Sequence, residues 1–338
     1  MSERVSVLIS TYNYARYLPQ CLGSVLNQTR PPAEIVVVDD GSVDGTPELM
    51  KQFPEVRYVY QQNEGKAGAF GRALSLSSGE IVCHLDADDY WELDKLERVL
   101  HCLGEDSRIG GVVHEVSYVD AYGRALSFPW DQPYPAEALL LTLDECEDAG
   151  FLYRLPKTRG RFRGVPNTCC VRRNCVEDLF PLPPEVGGAV DGAMLAGALR
   201  YGMTYLPDAL AAYRIHGNNA GFGNVASNQE TMHMWEFLLK NPKFRSFLSS
   251  QHANLLRAKI LERKAYVASR TGKKICGGAW AGVCVPLILA ANGRCCNWRH
   301  LALPVACLLP IKRSSKKMPL RSGPLLQPVG SSTTAARR

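Results

Sequence analysis

The fold is decided by three apolar runs: VSVLIS at Val5–Ser10, EIVVVD at Glu34–Asp39 and IVCHL at Ile81–Leu85. Each run is rich in β-branched residues and predicts a strand that is buried on both faces. Apolar residues at helical intervals separate the runs, for example between Arg16 and Gln28. Strands that alternate in this way with helices predict a Rossmann-like, mostly parallel, doubly wound α/β sheet.

The same reasoning predicts further elements along the chain. In the first third these are strands at Val56–Gln61 and Ile109–His114 and helices at Ala67–Ser77 and Leu93–Leu103. Later come a hairpin within Ser117–Phe128, a helix at Val190–Arg200, strands at Thr204–Leu206 and Ala211–Ile215, and helices at Trp235–Leu239 and His252–Ser269.

Charge is unevenly distributed over the 338 residues. Residues 254–338 contain 16 Lys and Arg against one acid, Glu262, whereas the other 253 residues contain 23 basic and 32 acidic side chains. Two apolar segments in this basic part, 275–291 and 300–311, are shorter than a spanning helix requires. They predict helices that lie on an anionic membrane surface, or, alternatively, a helical subdomain packed on the rest of the protein. No aromatic-interleaved or recognition-helix motif accompanies the charge, so no nucleic-acid partner is expected.

Cysteine usage and the N-terminus predict a cytosolic protein. The twelve cysteines form no Cys-x-x-Cys pair, which argues against a zinc ribbon and a thioredoxin-like motif. The opening MSERVSVLIS has no basic region followed by a long apolar stretch, so no secretory signal is expected. In a reducing compartment the thiols are expected to be free.

Polar residues follow three of the predicted strands. They are Thr11-Tyr12-Asn13, Asp39-Asp40 and Asp86-Ala87-Asp88. Ligands of open α/β sheets bind beyond the carboxyl ends of the strands, so this edge predicts the binding site. The glycines after Asn63 do not form a phosphate loop, because Lys66 is followed by Ala67 rather than Ser or Thr. A nicotinamide-dinucleotide fold is disfavoured as well, because no Gly-x-Gly-x-x-Gly follows the first strand.

The paired carboxylates after the strand at Ile81–Leu85 predict a metal site. Asp86 and Asp88 stand one residue apart after a buried strand, an arrangement suited to Mg²⁺ or Mn²⁺. The alternative is that Asp88 or Asp89 caps the following helix. At the second strand, one carboxylate of the Asp39-Asp40 pair would cap a helix while the other accepts hydrogen bonds from a base or ribose.

Four segments within the first 100 residues resemble, in order and spacing, the motifs of the family 2 glycosyltransferases. They read VSVLISTYNYARYLPQCLGSVLNQT, EIVVVDDGSVDGT, NEGKAGAFGRALSLSSGE and HLDADDYWELDKLE. The resemblance implies a GT-A fold and a nucleotide-diphospho-sugar donor, with a UDP-sugar the expected one. It also implies a divalent metal, Mn²⁺ or Mg²⁺, and inversion at the anomeric carbon.

The resemblance also implies roles for residues of the nucleotide pocket. Thr11, Tyr12 and Asn13 resemble the start of that pocket. Asp40 resembles the residue that recognises the base, and Arg72 the one that contacts the nucleotide.

The remaining roles concern the metal and the chemistry. Asp88 resembles the metal ligand of an Asp-x-Asp pair, and Asp86 the member nearer the ribose. Asp191, at the start of a predicted helix, resembles the general base, although the residue before it is Val where family members often have Glu. A helix cap is its alternative role. Arg214 and His216 lie in YRIH, which resembles a segment that approaches the diphosphate, and a structural role is the alternative for the histidine.

Composition and resemblance together predict four parts. Residues 1–115 would bind the nucleotide sugar, 116–226 would bind the acceptor and supply the base, 227–317 would form a helical, basic, membrane-associated extension, and 318–338 a disordered tail. The implied enzyme transfers a sugar to a hydroxyl of a saccharide or lipid-linked acceptor in cell-envelope polysaccharide synthesis, at the inner face of the cytoplasmic membrane. The alternatives are a polyprenyl-phosphate sugar synthase, whose phosphate acceptor would not need Asp191 as a base, and a non-catalytic nucleotide-sugar-binding protein.

Overall fold

The apolar runs at the start of the chain form the centre of one sheet. In the computed structural model, which describes residues 3–127, 139–141, 168–217, 219 and 225–271, ten strands belong to this sheet. They are β1 (Val5–Thr11), β2 (Glu34–Asp39), β3 (Arg57–Tyr60), β4 (Ile81–Asp86), β5 (Tyr90–Trp91), β6 (Gly111–Asp120), β7 (Ala125–Leu126), β8 (Leu139–Leu141), β9 (Cys170–Arg172) and β10 (Met203–Ile215).

Helices separate the strands and follow them. They are α1 (Leu18–Leu26), α2 (Thr46–Met50), α3 (Gly65–Leu76), α4 (Lys95–Glu105), α5 (Val190–Leu199), α6 (Val225–Lys240), α7 (Pro242–Phe247) and α8 (Ser250–Thr271). Among the described residues no helix has the length and apolar character needed to cross a bilayer. The apolar segments 275–291 and 300–311 and the tail 318–338 lie outside the described residues.

The strand order is β3-β2-β1-β4-β9-β6-β10-β5, with β7 beside β6 and β8 beside β10. The neighbours β3-β2-β1-β4 are parallel, and so is the pair β6 and β10, which confirms the mostly parallel sheet. Strand β9 is antiparallel to both β4 and β6 and joins the two parallel groups. The predicted hairpin is confirmed as β6 and β7, which pair antiparallel.

One prediction in the second half is wrong in detail. Thr204–Leu206 and Ala211–Ile215 are not separate strands but parts of the single strand β10, which pairs with β6 along its length. The register shifts between Leu206 and Ala209 and again before Ala211. Pro207 lies at the first shift and has no N–H to donate to the neighbouring strand. Because proline is typical of strand ends, the sequence predicted two strands where the structure has one.

Both faces of the sheet are covered. Val82 of β4 belongs to a buried cluster that includes Phe70 of α3 and Met194 of α5, whereas its neighbour Cys83 belongs to a cluster on the other face with Val99 of α4. The parallel register places Thr11 beside Asp39 and Ser10 beside Asp86. The polar residues that follow β1, β2 and β4 therefore meet at one edge, as the sequence predicts.

Candidate active site

A cavity of about 410 Å³ opens at the carboxyl ends of β1, β2 and β4. This volume lies within the range of small-ligand sites. Six of the ten residues predicted for the site line it, namely Thr11, Tyr12, Asp40, Asp86, Asp88 and Asp191. Asn13, Arg72, Arg214 and His216 do not line it.

Three carboxylates converge where β4 ends. Ligand oxygens of Asp86, Asp88 and Asp89 all lie within 4.8 Å of one another. The capping alternative does not apply, because β5 intervenes before the next helix and the carboxylates have other partners. Asp89 accepts the backbone N–H of Arg214 at 2.7 Å, and burial together with the charges of Asp88 and Asp86 raises its pKa well above the ordinary value. Such a hard-oxygen cluster fits Mg²⁺ or Mn²⁺.

Lys66 supplies a positive charge inside the cavity. Its ammonium lies 2.5 Å from Asp86 Oδ1, and His84 Nε2 lies 3.4 Å from the same oxygen. Burial alone would raise the pKa of Asp86, but the Lys66 charge outweighs it, so the pKa lies below its usual value. Conversely, burial would lower the pKa of Lys66, but Asp86 and Asp191 raise it. Burial lowers the pKa of His84 to about 3, so this ring is neutral near pH 7. The ion pair of Asp86 and Lys66 is therefore present at neutral pH.

Arg214 supports the carboxylate turn from behind. Its Nε donates to the backbone oxygen of Asp88 at 2.7 Å, and its Nη2 donates to Gln20 Oε1 at 2.6 Å. The guanidinium carbon lies 4.9 Å from the centre of the Tyr17 ring. At 2% exposure and with these partners, Arg214 positions the turn and does not face the cavity.

His216 holds the side chain of Asp88. Its Nε2 lies 2.9 Å from Asp88 Oδ2, while the ring stacks on Tyr17 with 5.0 Å between centroids. Tyr14 donates a hydrogen bond to the same carboxylate, and burial followed by the Asp88 charge raises the Tyr14 pKa. A fixed carboxylate with a histidine behind it is the arrangement in which neighbouring groups orient a metal ligand.

Asp191 lies in the first turn of α5 and faces the cavity from another side than the strand ends. The residue is 6% exposed, and burial raises its pKa to about 6, against the opposing effect of Lys66. Its carboxylate accepts hydrogen bonds from its own N–H and that of Gly192, so the capping role and the cavity-facing role coexist. A carboxyl group with this pKa is mostly ionised at pH 7 yet basic enough to accept a proton.

Of the residues at the end of β1 and in the loop after it, Thr11 and Tyr12 line the cavity, whereas Asn13 does not. Thr11 Oγ1 is buried and has no hydrogen-bond partner within the protein, while the Tyr12 side chain is 48% exposed and lines the cavity. Asn13 adopts φ +59° and ties the loop to its neighbour: its N–H donates to Ser42 and its Oδ1 accepts from Val43. The unpartnered Thr11 hydroxyl is therefore available to a ligand, whereas Asn13 shapes the loop.

Asp40 both anchors a helix and lines the cavity. It lines the cavity, and it accepts hydrogen bonds from Gln61 Nε2 (2.8 Å), the Glu64 N–H (2.9 Å) and the Gly65 N–H (2.8 Å). The last two donors lie at the N-terminus of α3. Asp40 thus anchors this helix against the strand edge and keeps Lys66 in place beside the cavity.

Arg72 lies on α3 but outside the cavity, with its side chain exposed. Lys66 and Ala69 of the same helix do line the cavity. Arg72 lies seven residues after the cavity residue Gly65, on a similar side of the helix but about 10 Å further along the axis, away from the strand ends.

The comparisons with known proteins agree with this geometry. The model of the family "Glycosyl transferase family 2" matches residues 6–164. An uncharacterized glycosyltransferase of Nostoc sp. is 32% identical over 255 residues, which cover 72% of this chain and 76% of the relative. The chain is a family 2 glycosyltransferase. The putative teichuronic acid biosynthesis glycosyltransferase TuaG of Bacillus subtilis is 39% identical over 108 residues, 30% of this chain and 43% of that protein.

Solved structures show that this family 2 glycosyltransferase has a GT-A fold, as the resemblance implied. Residues 1–349 of TarS from S. aureus superpose with a TM-score of 0.57 at 20% identity, covering 85% of this chain and 78% of that one. The same TarS fragment has been solved with UDP-GlcNAc, with a TM-score of 0.56, 19% identity and cover of 89% and 83%. The mannosyltransferase PcManGT of Pyrobaculum calidifontis, solved with GDP-Man and Mn²⁺, has a TM-score of 0.51 at 21% identity, with 91% and 86% covered.

Tyr14, Lys66 and Glu230 are among the cavity residues of this glycosyltransferase that the sequence did not single out. Tyr14 follows the quoted loop by one residue, and Lys66 was considered only as part of a failed phosphate loop. Glu230 lies on α6, more than 140 residues from the Asp86 carboxylate. An apolar–polar pattern at helical spacing could have indicated Lys66, but no local signal indicates Glu230, because only the tertiary fold brings α6 to the strand ends.

Proposed function

We propose that this enzyme transfers a sugar from a nucleotide-diphospho-sugar to a hydroxyl of a saccharide or lipid-linked acceptor, with inversion and with a divalent metal. The observation that supports the proposal is the meeting, in one cavity, of a carboxylate cluster with a separate buried carboxylate. Asp86, Asp88 and Asp89 form the cluster, and Asp191 enters from α5. The positive charge of Lys66 interacts with both sides of the cavity, since Asp86 and Asp191 each raise its pKa.

The nucleotide would lie at the ends of β1 and β2. The Thr11 hydroxyl is unpartnered within the protein, the Tyr12 ring is available for stacking, and Asp40 lines the same wall. Lys66 would neutralise diphosphate charge as a cation of the chain itself. We infer that the donor is a UDP-sugar. The complexes of TarS with UDP and UDP-GlcNAc support this inference. A GDP-sugar is the alternative donor, because PcManGT was solved with GDP-Man.

Asp88 is the residue best placed to hold the metal, with Asp86 and Asp89 beside it. His216 and Tyr14 orient the Asp88 carboxylate, so the chain holds it ready for a cation. Asp86 is paired with Lys66 and would lie nearer the ribose. When bound, Mg²⁺ or Mn²⁺ supplies positive charge that offsets the charge gathering on the departing diphosphate.

Asp191 would act as the general base. The acceptor oxygen forms a bond to the anomeric carbon, the bond from that carbon to the phosphate oxygen breaks, and the nucleoside diphosphate leaves with the electron pair. The acceptor proton passes to the Asp191 carboxylate, which is mostly ionised at pH 7 because its pKa is about 6. Such proton transfer contributes about 10²–10⁴ in rate. A single displacement of this kind inverts the anomeric configuration.

A donor screen tests the proposal. The full chain is incubated with Mn²⁺ and each of UDP-glucose, UDP-GlcNAc and GDP-mannose, and the free nucleoside diphosphate is measured. We expect release from one donor and its loss in Asp191→Asn. Full turnover by Asp191→Asn would favour a polyprenyl-phosphate sugar synthase, whose phosphate acceptor needs no base. Binding of nucleotide and metal without any release would favour a non-catalytic binding protein.

The location of the enzyme is a separate part of the proposal. The excess of 15 positive charges over residues 254–338 supports association with an anionic membrane surface on the cytoplasmic side. Co-sedimentation of the full chain with phosphatidylglycerol vesicles but not with phosphatidylcholine vesicles is the expected result, with binding that weakens as salt rises. Sedimentation with neither kind of vesicle, or equal sedimentation with both, would contradict it.

A further inference from the structure

Helix α6 contributes one face to the cavity. Ser227, Glu230 and Thr231 line it, and their spacing of three and four residues places them together on one side of the helix. This face meets the cavity beside Gly188, Ala189 and the base candidate Asp191. The wall is therefore adjacent to the base and built from an element separate from the strands that carry the carboxylate cluster.

Glu230 is seated by a pair of glycines. Gly188 donates its backbone N–H to the Glu230 carboxylate. A Cβ on Gly187 would lie 2.5 Å from Glu230 Oε1, and Gly187 has φ +53°, which disfavours other residues. The chain thus leaves space for a carboxylate directly before the helix that carries Asp191.

The helix that carries Glu230 is firmly held. Trp235 and Met234 are buried in the same core as Met194 of α5, and His233 contacts the backbone oxygen of Glu185 at 3.1 Å. Arg263 of α8 lies over the Trp235 ring at 4.8 Å. A side chain on so fixed a helix presents its carboxylate in a defined position, which specific recognition of a hydroxyl requires.

We propose that Glu230, with Ser227 and Thr231 beside it, forms the acceptor subsite and binds a hydroxyl of a saccharide next to the hydroxyl that is attacked. This inference rests on the proposed transfer reaction. The strand ends and the base account for the donor and the proton. The half-buried Glu230 carboxylate accepts one hydrogen bond from the Gly188 N–H and has further acceptor positions for a ligand. Its acceptor-only oxygens are suited to the hydroxyl donors of a sugar, and the polar wall of α6 excludes an apolar partner at this point.

The test compares transfer with donor binding in isosteric variants. Transfer to 4-nitrophenyl glycosides of glucose, galactose, GlcNAc and GalNAc is measured beside hydrolysis of the same donor, and UDP affinity is measured with Mn²⁺ by calorimetry. In Glu230→Gln we expect the kcat/KM for the saccharide to fall about tenfold through KM, the loss of one hydrogen bond to a charged group. The UDP affinity should stay within twofold, and Glu230→Asp should recover part of the loss. Glu236→Gln is the matched control, since Glu236 lies on α6 outside the cavity and pairs with Lys264.

The other outcomes are distinguishable. If Glu230→Gln lowers hydrolysis and transfer in equal proportion, the carboxylate only supports α5 and the acceptor role is wrong. If the wild type hydrolyses a donor yet transfers to no glycoside of the panel, the saccharide subsite is wrong while the proposed function stands. If the wild type neither hydrolyses a donor nor transfers a sugar, the proposed function itself fails.

Discussion

The substitution Asp191→Asn should lower turnover by about 10²–10⁴ and stabilise the protein at the same time. The pKa of Asp191 is about 6 in the folded protein, against about 3.9 for an unperturbed aspartate. Two pKa units correspond to about 3 kcal/mol, so at pH 7 the ionised side chain lowers the free energy of unfolding by up to about 3 kcal/mol. The sign follows because the folded state binds the proton more tightly, so stability declines as pH rises from about 4 to about 6 and is then constant.

Asparagine keeps the shape of the side chain and an oxygen for the Gly192 N–H, but it carries no charge. Urea unfolding in EDTA should therefore show Asp191→Asn more stable than the wild type at pH 7, with the difference vanishing at pH 4. Release of nucleoside diphosphate should fall by about 10²–10⁴. In the control Asp94→Asn, on a residue exposed at the start of α4, unfolding should change by less than about 1 kcal/mol. A variant that is less stable than the wild type at pH 7, or that turns over within threefold of it, would show that Asp191 is neither a destabilising buried charge nor the base.

The remaining predictions concern the surroundings of the base and of the carboxylate turn. The kcat/KM for donor turnover should rise tenfold per pH unit up to about pH 6 and then level off, because the base must be ionised. In Lys66→Met the midpoint of this pH profile should move to higher pH, since the ammonium lowers the pKa of Asp191, and an unmoved midpoint would contradict this electrostatic effect. Arg214→Lys should weaken binding of UDP with Mn²⁺ about tenfold by calorimetry, as expected when a group behind a metal ligand is lost. Arg72→Ala should change that affinity less than twofold, because the side chain lies outside the cavity; a larger loss would show that the nucleotide reaches beyond it.

The edge of the sheet was predictable because its determinants are local. Strands of β-branched residues that end in acids fix the direction of the chain and the position of the carboxylates, and parallel neighbours then bring Thr11, Asp40 and Asp86 together. Asp191 was found by resemblance rather than by spacing, and its burial and pKa could not be read from the sequence. These depend on α5 packing under the cavity, a contact between distant parts of the chain.

Tertiary contacts also explain what the sequence did not show. Arg72 has the right residue type on the right helix, but it lies about two turns beyond the N-terminal end of α3 that meets the strand edge, and Lys66 lines the cavity instead. Arg214 was expected at the diphosphate, yet its guanidinium is taken up by Asp88 and Gln20 behind the turn. Strand β9 inserts antiparallel between β4 and β6, and no local pattern specifies such a pairing.

In the proposed mechanism the Asp88 turn holds a divalent cation against a nucleoside diphosphate. Calorimetric titration of UDP tests it most directly, in Mn²⁺ and in EDTA, for the wild type and for Asp88→Ala. We expect an affinity at least tenfold higher in Mn²⁺ than in EDTA for the wild type, and a gain of less than twofold for the variant. Equal affinity of the wild type in both solutions, or a full metal-dependent gain in Asp88→Ala, would contradict it.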